Sequence, residues 1–542
     1  MTGSGHTGLK KHRISTSTVV FMIFCLCAAG AYGIEDMIPA AGPGLTLAML
    51  IVLPFIWSTP MGLVASELGS AIPEEGGFYK WVQRACGEFW GFQAGWWRTI
   101  SIYVDNTIYV VLAGSYFASV VNLTAEQEYL FKASMIVFFT YINIRGIRDV
   151  GRVSSTISIL VMIAFALVTA FGFANWQTNP FDPFIPPDQN LLQSIGAGIA
   201  IGIWVYSGYE SMSTMAGEVE DPQVIPKATL ITVPLIMAVY ILPTMGGIAS
   251  LGSWDQWASE GGVSYSDVVA THLPSIGLFF VFVAVMAQFS IFNTYITSGS
   301  RGFFALADDN LAPKALVKCS ESNGVPYVAV LSLGIFSLIA CTFPFEVIVV
   351  VDVMLFMAAY VLIFISACIL RIREPDLKRP FKVPLGTAGF IAMCVPPIAI
   401  AVLALFISGT DYFVGGMLAL LTGPVAYFIF KRKYGGLAKR DPKRHPVNPS
   451  TLLAIGDTRR MAWMFGLLTV AGVIAMYFLP WYDDPTAYAE DYGVDGVFDI
   501  FMTAVHWMTA AFAVLTAALL MMARRVEPNS ASQSGVAEFE SI

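Results

Sequence analysis

Two apolar segments of this chain each carry a glycine beside an acid: Gly33-Ile34-Glu35-Asp36 in the first long segment and Gly208-Tyr209-Glu210 in a later one. A carboxylate inside a membrane span costs roughly 2.5 to 3.5 kcal/mol, so it is kept only where it faces a cavity, a partner or a substrate. Glycine lets a helix unwind at that point, and the freed backbone groups can line a binding site. The pattern restricts the chain to helical spans, two of them broken, as in a secondary transporter.

Composition agrees. With 56% hydrophobic and 13% charged residues and a mean hydropathy of +0.68 over 542 residues, there is too little polar surface for an ordinary soluble enzyme. The net charge of -8 gives no basic patch, so nucleic acid is not an expected partner; the lipid bilayer is. The seven cysteines are scattered, and Cys25 and Cys27 point to different faces of a helix, which suggests neither a metal site nor a disulfide framework. The first 17 residues are polar and basic without a cleavable apolar stretch, so the first apolar segment is expected to remain as a span.

A window of about 20 residues places fourteen spans, near 18–40, 44–70, 88–121, 127–144, 153–176, 191–216, 228–251, 275–305, 327–343, 346–370, 388–408, 412–430, 461–480 and 497–523. Lysine and arginine alternate with that count. Lys10, Lys11 and Arg13 precede the first span, Lys80 and Arg84 follow the second, and Arg145, Arg148 and Arg152 follow the fourth, whereas the loops at 175–190, 254–267 and 481–495 carry none. The positive-inside rule then puts both termini in the cytoplasm of a plasma-membrane protein. Arg98, about ten residues into the third span, is expected to snorkel to the cytoplasmic headgroups, with pairing to a carboxylate in the bundle as the alternative.

The expected organisation is a cytoplasmic N-terminus (1–17), two five-span units (18–176 and 191–370), spans 11 and 12 (388–430), a basic linker (431–460), two extra spans (461–523) and a cytoplasmic tail (524–542). Ala31-Tyr32-Gly33-Ile34-Glu35 can be laid over Tyr206-Ser207-Gly208-Tyr209-Glu210. An odd number of spans per unit gives the two units opposite orientations, the arrangement of an inverted repeat with its site near the midplane.

Further motifs recur in order over roughly residues 18 to 435. They are Ala40-Ala41-Gly42-Pro43, Pro54-Phe55-Ile56-Trp57-Ser58, Pro73-Glu74-Glu75-Gly76-Gly77, Trp90-Gly91-Phe92-Gln93, Asp105-Asn106, Ala216-Gly217-Glu218-Val219-Glu220-Asp221-Pro222 and Arg379-Pro380-Phe381-Lys382-Val383-Pro384-Leu385-Gly386. On these the chain resembles the amino acid/polyamine/organocation superfamily of permeases, and within it the L-type amino acid and polyamine uptake branch. The resemblance implies an all-α, leucine-transporter-type fold of two inverted five-helix repeats, with substrate held between the unwound parts of the first and sixth spans.

The candidate substrate-binding residues are Gly30, Gly33, Glu35, Asp36, Asp105, Trp204, Ser207, Gly208, Tyr209 and Glu210. An amino acid needs backbone N–H groups for its carboxylate and carbonyls for its amine; extra acids help only a substrate with extra positive charge. Trp204 and Tyr209 offer cation–π surface to an amine. Asp36 stands equally well at the solvated outer mouth, and Asp352, entering the tenth span, reads as an outer-gate partner or a solvated helix end. Ser207-Gly208 replace larger residues of the polyamine branch and leave room for a side chain. The expected function is proton-coupled transport of polyamines or cationic amino acids by alternating access, with a neutral amino acid permease as the alternative. Glu210 and Asp105 are the candidate proton carriers, since burial favours the protonated form of an acid. A sodium site would use Ser290, Thr294, Thr297 and Ser298 of the eighth span. No cofactor is expected. A membrane-embedded enzyme, the reading from another class, lacks support in any metal-ligand spacing or nucleophile motif.

Overall fold

The computed structural model describes residues 15–27, 30–74, 76–145, 150–209, 224–259, 261–321 and 324–526. Among these the structure is helical, with two isolated β-bridges, Trp257 with Val263 and Val447 with Ala454. The first span is split: α1 (Thr16–Cys27) stops, and α2 (Met37–Ala41) resumes after a break. The twelve residues of α1 rise only about 18 Å, short of a hydrocarbon core of ~30 Å. The second span runs as α3 (Pro43–Leu53), a π turn (Pro54–Ser58) and α4 (Thr59–Ala71), followed by the short helix α5 (Phe78–Cys86).

Then come α6 (Glu88–Val121), α7 (Ala125–Arg145), α8 (Val150–Ala174) and α9 (Leu191–Val205), which stops at the second break. The helices α10 (Val224–Leu251), α11 (Tyr265–Ala270), α12 (Pro274–Asp308), α13 (Tyr327–Ala340) and α14 (Phe345–Arg373) follow. The chain continues with α15 (Thr387–Ile407), α16 (Thr410–Tyr434), α17 (Asp457–Tyr482), α18 (Pro485–Tyr492) and α19 (Val497–Val526). Nine helices among the described residues are long and apolar enough to cross a membrane, and three shorter apolar ones, α1, α9 and α13, accompany them. The protein is an integral, multi-pass membrane protein.

In the first break Ala31 accepts from the Ile34 N–H and Ile34 from the Met37 N–H, at 3.2 and 3.0 Å, in place of the α-helical ladder. Gly33 has φ +86°, a left-handed conformation that any side chain strains, and a Cβ there would meet Trp204 and Phe345 at 3.0 Å. Gly208, with φ +104°, stands in the second break.

Proline frees carbonyls elsewhere, and side chains take them up. Pro54 cannot donate to the Leu50 carbonyl, and the Tyr206 hydroxyl does so at 2.7 Å. Ser58 in the same π turn donates back to the Tyr206 carbonyl at 3.2 Å. Pro424 likewise leaves the Leu420 carbonyl to the indole N–H of Trp97, at 3.0 Å. The first pair of bonds ties the second span to the break after α9.

The packing centre is α6, which lies along both α12 and α14, while α1 packs on α10 and α2 on α9. On the side rich in lysine and arginine, three buried acids gather chain ends. Glu67 on α4 is paired with Arg371 at 2.5 Å and Arg379 at 3.0 Å and accepts from the Val383 N–H at 2.8 Å, which explains the Arg379-to-Gly386 motif. Asp309 holds Lys80 at 2.5 Å, Tyr79 at 2.7 Å and Arg440 of the linker at 3.1 Å. Burial alone would raise the Asp309 carboxyl, but the Lys80 ammonium and the hydrogen bonds to it hold it below the ordinary aspartate range. Its stabilising contribution is therefore complete above that range and is lost only as pH falls through the depressed value. Glu88, at the start of α6, takes Lys431 at 2.6 Å.

Two outcomes are expected. Gly33→Ala, strained by roughly 1–2 kcal/mol from its left-handed φ and crowding Trp204, lowers the melting temperature in detergent and displaces that indole, which its fluorescence reports. Glu67→Gln leaves two buried guanidinium groups without their counter-charge, a loss of about 3–5 kcal/mol. The exposed pair Arg84–Glu374 serves as the control, since breaking it should cost less than about 1 kcal/mol.

Candidate functional site

The last turns of α1 and α9 point their carbonyl ends at one small cavity, whose wall includes Cys27 and Val205, the final residues of those helices. Helix C-termini carry partial negative charge. The Tyr240 hydroxyl, on the same wall, donates to the Val205 carbonyl at 2.9 Å with the Cys27 carbonyl 3.3 Å away, so α10 clasps both broken ends. The cavity is small, so its walls must part to admit a substrate.

Among the described residues, two carboxylates and one guanidinium face this space. Asp105, on α6, accepts from the Trp204 indole N–H at 2.9 Å and also draws on the Tyr109 and Tyr295 hydroxyls. Trp204 stacks with Tyr109 at 6.1 Å between ring centres, and Tyr109 leans on Tyr295 at 5.4 Å. Arg98, one to two turns earlier on α6, donates to Ser101 Oγ at 2.8 Å, and Ser101 donates on to Asp352 Oδ1 at 2.5 Å. The Arg98 guanidinium also lies over Phe356 and Tyr360, at 5.8 and 5.7 Å. The Tyr32 hydroxyl, buried and on the wall, has no hydrogen-bond partner among the described residues.

The predicted residues divide. Asp105, Trp204 and Ser207 line the cavity. Gly30, Gly33 and Gly208 shape the breaks, with φ of +115°, +86° and +104°. Glu35 is wholly buried but does not line the cavity: Oε2 accepts from the Gly33 N–H and Oε1 from the Tyr116 hydroxyl, both at 2.8 Å, so it caps the break from within. Asp36 accepts from the Ser259 N–H at 2.9 Å, fastening the break to the loop beyond α10. Tyr209 is buried off the cavity wall. Glu210, together with Glu218, Glu220 and Asp221, lies outside the described residues.

Two expectations are corrected. Arg98 does not reach headgroups: it is 1% exposed and inside the bundle, where Asp352 and the rings of α14 receive it. Asp352 is not a solvated helix end, being 1% exposed on the same wall. The sequence carried part of the signal, the sharing of a helix face, but not which helix that face meets. Arg98, Ser101, Asp105 and Tyr109 follow the helical spacing that puts them on one face, as do Asp352, Phe356 and Tyr360. Of the hydroxyls considered for sodium, Ser290 meets Cys25 Sγ at 3.3 Å, Thr294 bonds the Ser290 carbonyl and Thr297 turns to Asn143 on α7, so each has a packing role.

Residues 14–430 match the amino acid permease family. A probable polyamine transporter of Arabidopsis thaliana is 31% identical over 72% of this chain and 78% of its own, and the polyamine transporter PUT1 of Oryza sativa subsp. japonica is 29% identical over 78% and 80%. The crystal structure of MhsT in complex with L-phenylalanine aligns with a TM-score of 0.51 at 14% identity, covering 78% of this chain and 100% of that one. That likeness concerns the fold alone, and it is the leucine-transporter type expected from the resemblance. With a family match across residues 14–430 and two helices, α1 and α9, that end at the same cavity, the chain belongs to the amino acid permease family of the amino acid/polyamine/organocation superfamily.

Proposed function

We propose that the protein is a secondary active transporter of polyamines that works by alternating access, with cationic amino acids as further candidate substrates. The observation that carries this reading is the cavity wall: two carboxylates, Asp105 and Asp352, and two helix C-terminal ends converge on it, flanked by Trp204, Tyr109 and Tyr295. Every one of these groups favours an ammonium. The relatives named as polyamine transporters support the same choice. One observation favours a second reading, an amino acid permease: the Arg98 guanidinium on the same wall suits a carboxylate.

For coupling we assign Asp105 as a proton carrier, because a buried carboxylate between indole and phenol donors exchanges a proton for an ammonium without leaving its place. Glu210 stays a second candidate on sequence grounds. The alternation of lysine and arginine between loops supports cytoplasmic termini and uptake across the plasma membrane.

Purified protein in proteoliposomes tests this with labelled putrescine, spermidine, arginine and leucine at clamped membrane potential. With one proton exchanged per substrate, a gradient of one pH unit with the acid side inside the liposomes supports about tenfold greater accumulation of the amines. Asp105→Asn keeps the shape and removes the charge, and should cut amine uptake by about thirtyfold or more, the ~2 kcal/mol lost with one partner of a buried charge pair. Accumulation of leucine alone would transfer the protein to the second reading. Amine uptake indifferent to the pH gradient would remove the proton.

A further inference from the structure

Among the described residues of the cavity wall, Arg98 is the one cation, and everything else there is arranged for cations. It is deeply buried and held at three points on α14: through Ser101 to Asp352, over Phe356 and over Tyr360. Its contact with Asp352 is made at Ser101, one turn of α6 from Asp105. Asp105 and Asp352 are thus two anionic posts on one wall, enough for the two charged ends of a diamine or of the diamine end of a longer polyamine.

We propose that Arg98 is a resident cation that occupies the second of these posts and is displaced by the second ammonium of the substrate. The inference rests on the amine reading above and adds the rule by which the site counts charge. Arg98 also acts on Asp105, so among the described residues of the wall two carboxylates share one guanidinium. A diamine takes Asp105 with one end and competes with the guanidinium at Ser101 and Asp352 with the other, and Arg98 swings toward Phe356 and Tyr360, whose faces already receive it. When the diamine leaves, Arg98 returns to Asp352. Two uncompensated buried carboxylates would oppose closure of the walls, so the returning guanidinium is what lets the unloaded carrier reorient. A monoamine lacks the second charge and leaves Arg98 in place.

The test separates two modes of transport in proteoliposomes: exchange of labelled for unlabelled putrescine, which never requires an unloaded carrier to reorient, and net uptake into liposomes without internal putrescine, which does. In Arg98→Gln, the ratio of net uptake to exchange measured on the same preparation should fall by about tenfold or more, a shift in the reorientation equilibrium. Arg98→Lys, which retains the charge, should recover net uptake.

Equal loss of both modes in folded Arg98→Gln would make Arg98 structural and overturn the proposal, as would unchanged net uptake. A raised KM confined to arginine and leucine would assign the guanidinium to a substrate carboxylate and overturn it as well. If Arg98→Gln does not fold, Arg98→Lys decides: net uptake and exchange both retained support a resident cation, and net uptake lost opposes it. A parent protein that moves no amine in either mode would defeat the function proposed above, which this set of variants keeps distinct.

Discussion

Two helices that stop inside the membrane leave backbone groups that lipid cannot satisfy, and the rest of the structure is built around supplying their partners. The carbonyl ends of α1 and α9 are met by the Tyr240 hydroxyl. The Gly33 N–H is met by Glu35, and the carbonyl of Tyr206 by Ser58. Each partner comes from a neighbouring span or from the break itself, so the helix ends at the breaks are held in place by the described residues around them. Glu35 shows how this changes the meaning of a buried acid. Its charge is spent on holding the break, and the chemistry facing the cavity is left to residues on α6, α9 and α14.

The helix α6 acts as the column against which these pieces are measured. It supplies Arg98, Asp105 and Tyr109 to the cavity wall, Ser101 as the link from Arg98 to Asp352, Tyr116 to Glu35, and Glu88 to the network at its far end. A 34-residue helix without an internal break is stiff enough to do so over its whole length. On the lysine- and arginine-rich side, buried acids convert loops into fixed elements: Glu67 orders the segment after α14, and Asp309 binds α5 to the linker that precedes α17. These pairs are enclosed, so losing one partner is costly, which suits contacts that hold until a whole element moves.

The cavity balances attraction for cations against the cost of holding acids in a low dielectric. Asp105 and Asp352 would repel each other and resist burial if left together, and the guanidinium of Arg98 offsets that. The aromatic faces of Trp204, Tyr109 and Tyr295 add attraction for an ammonium without adding charge.

Much of this was legible in the chain itself. Apolar stretches of span length made the protein membrane-embedded and helical, since lipid leaves the backbone no other choice. Glycine beside acid marked both breaks, because only glycine takes the left-handed φ of Gly33 and Gly208 without strain. Asp105 and Trp204 were found the same way, as a mid-span acid and an indole beside a break. What the sequence could not fix was which acid faces what. Glu35, Asp36, Asp105 and Asp352 are alike as residues in apolar segments, and their different roles follow from partners far away in the chain: Tyr116, the loop at Ser259, Trp204 and Ser101. The placement of Arg98 was decided in the same way. A helix-end arginine and a buried counter-ion have the same local sequence, and only the packing of α14 against α6, which brings Asp352, Phe356 and Tyr360 to it, makes burial of that charge tolerable.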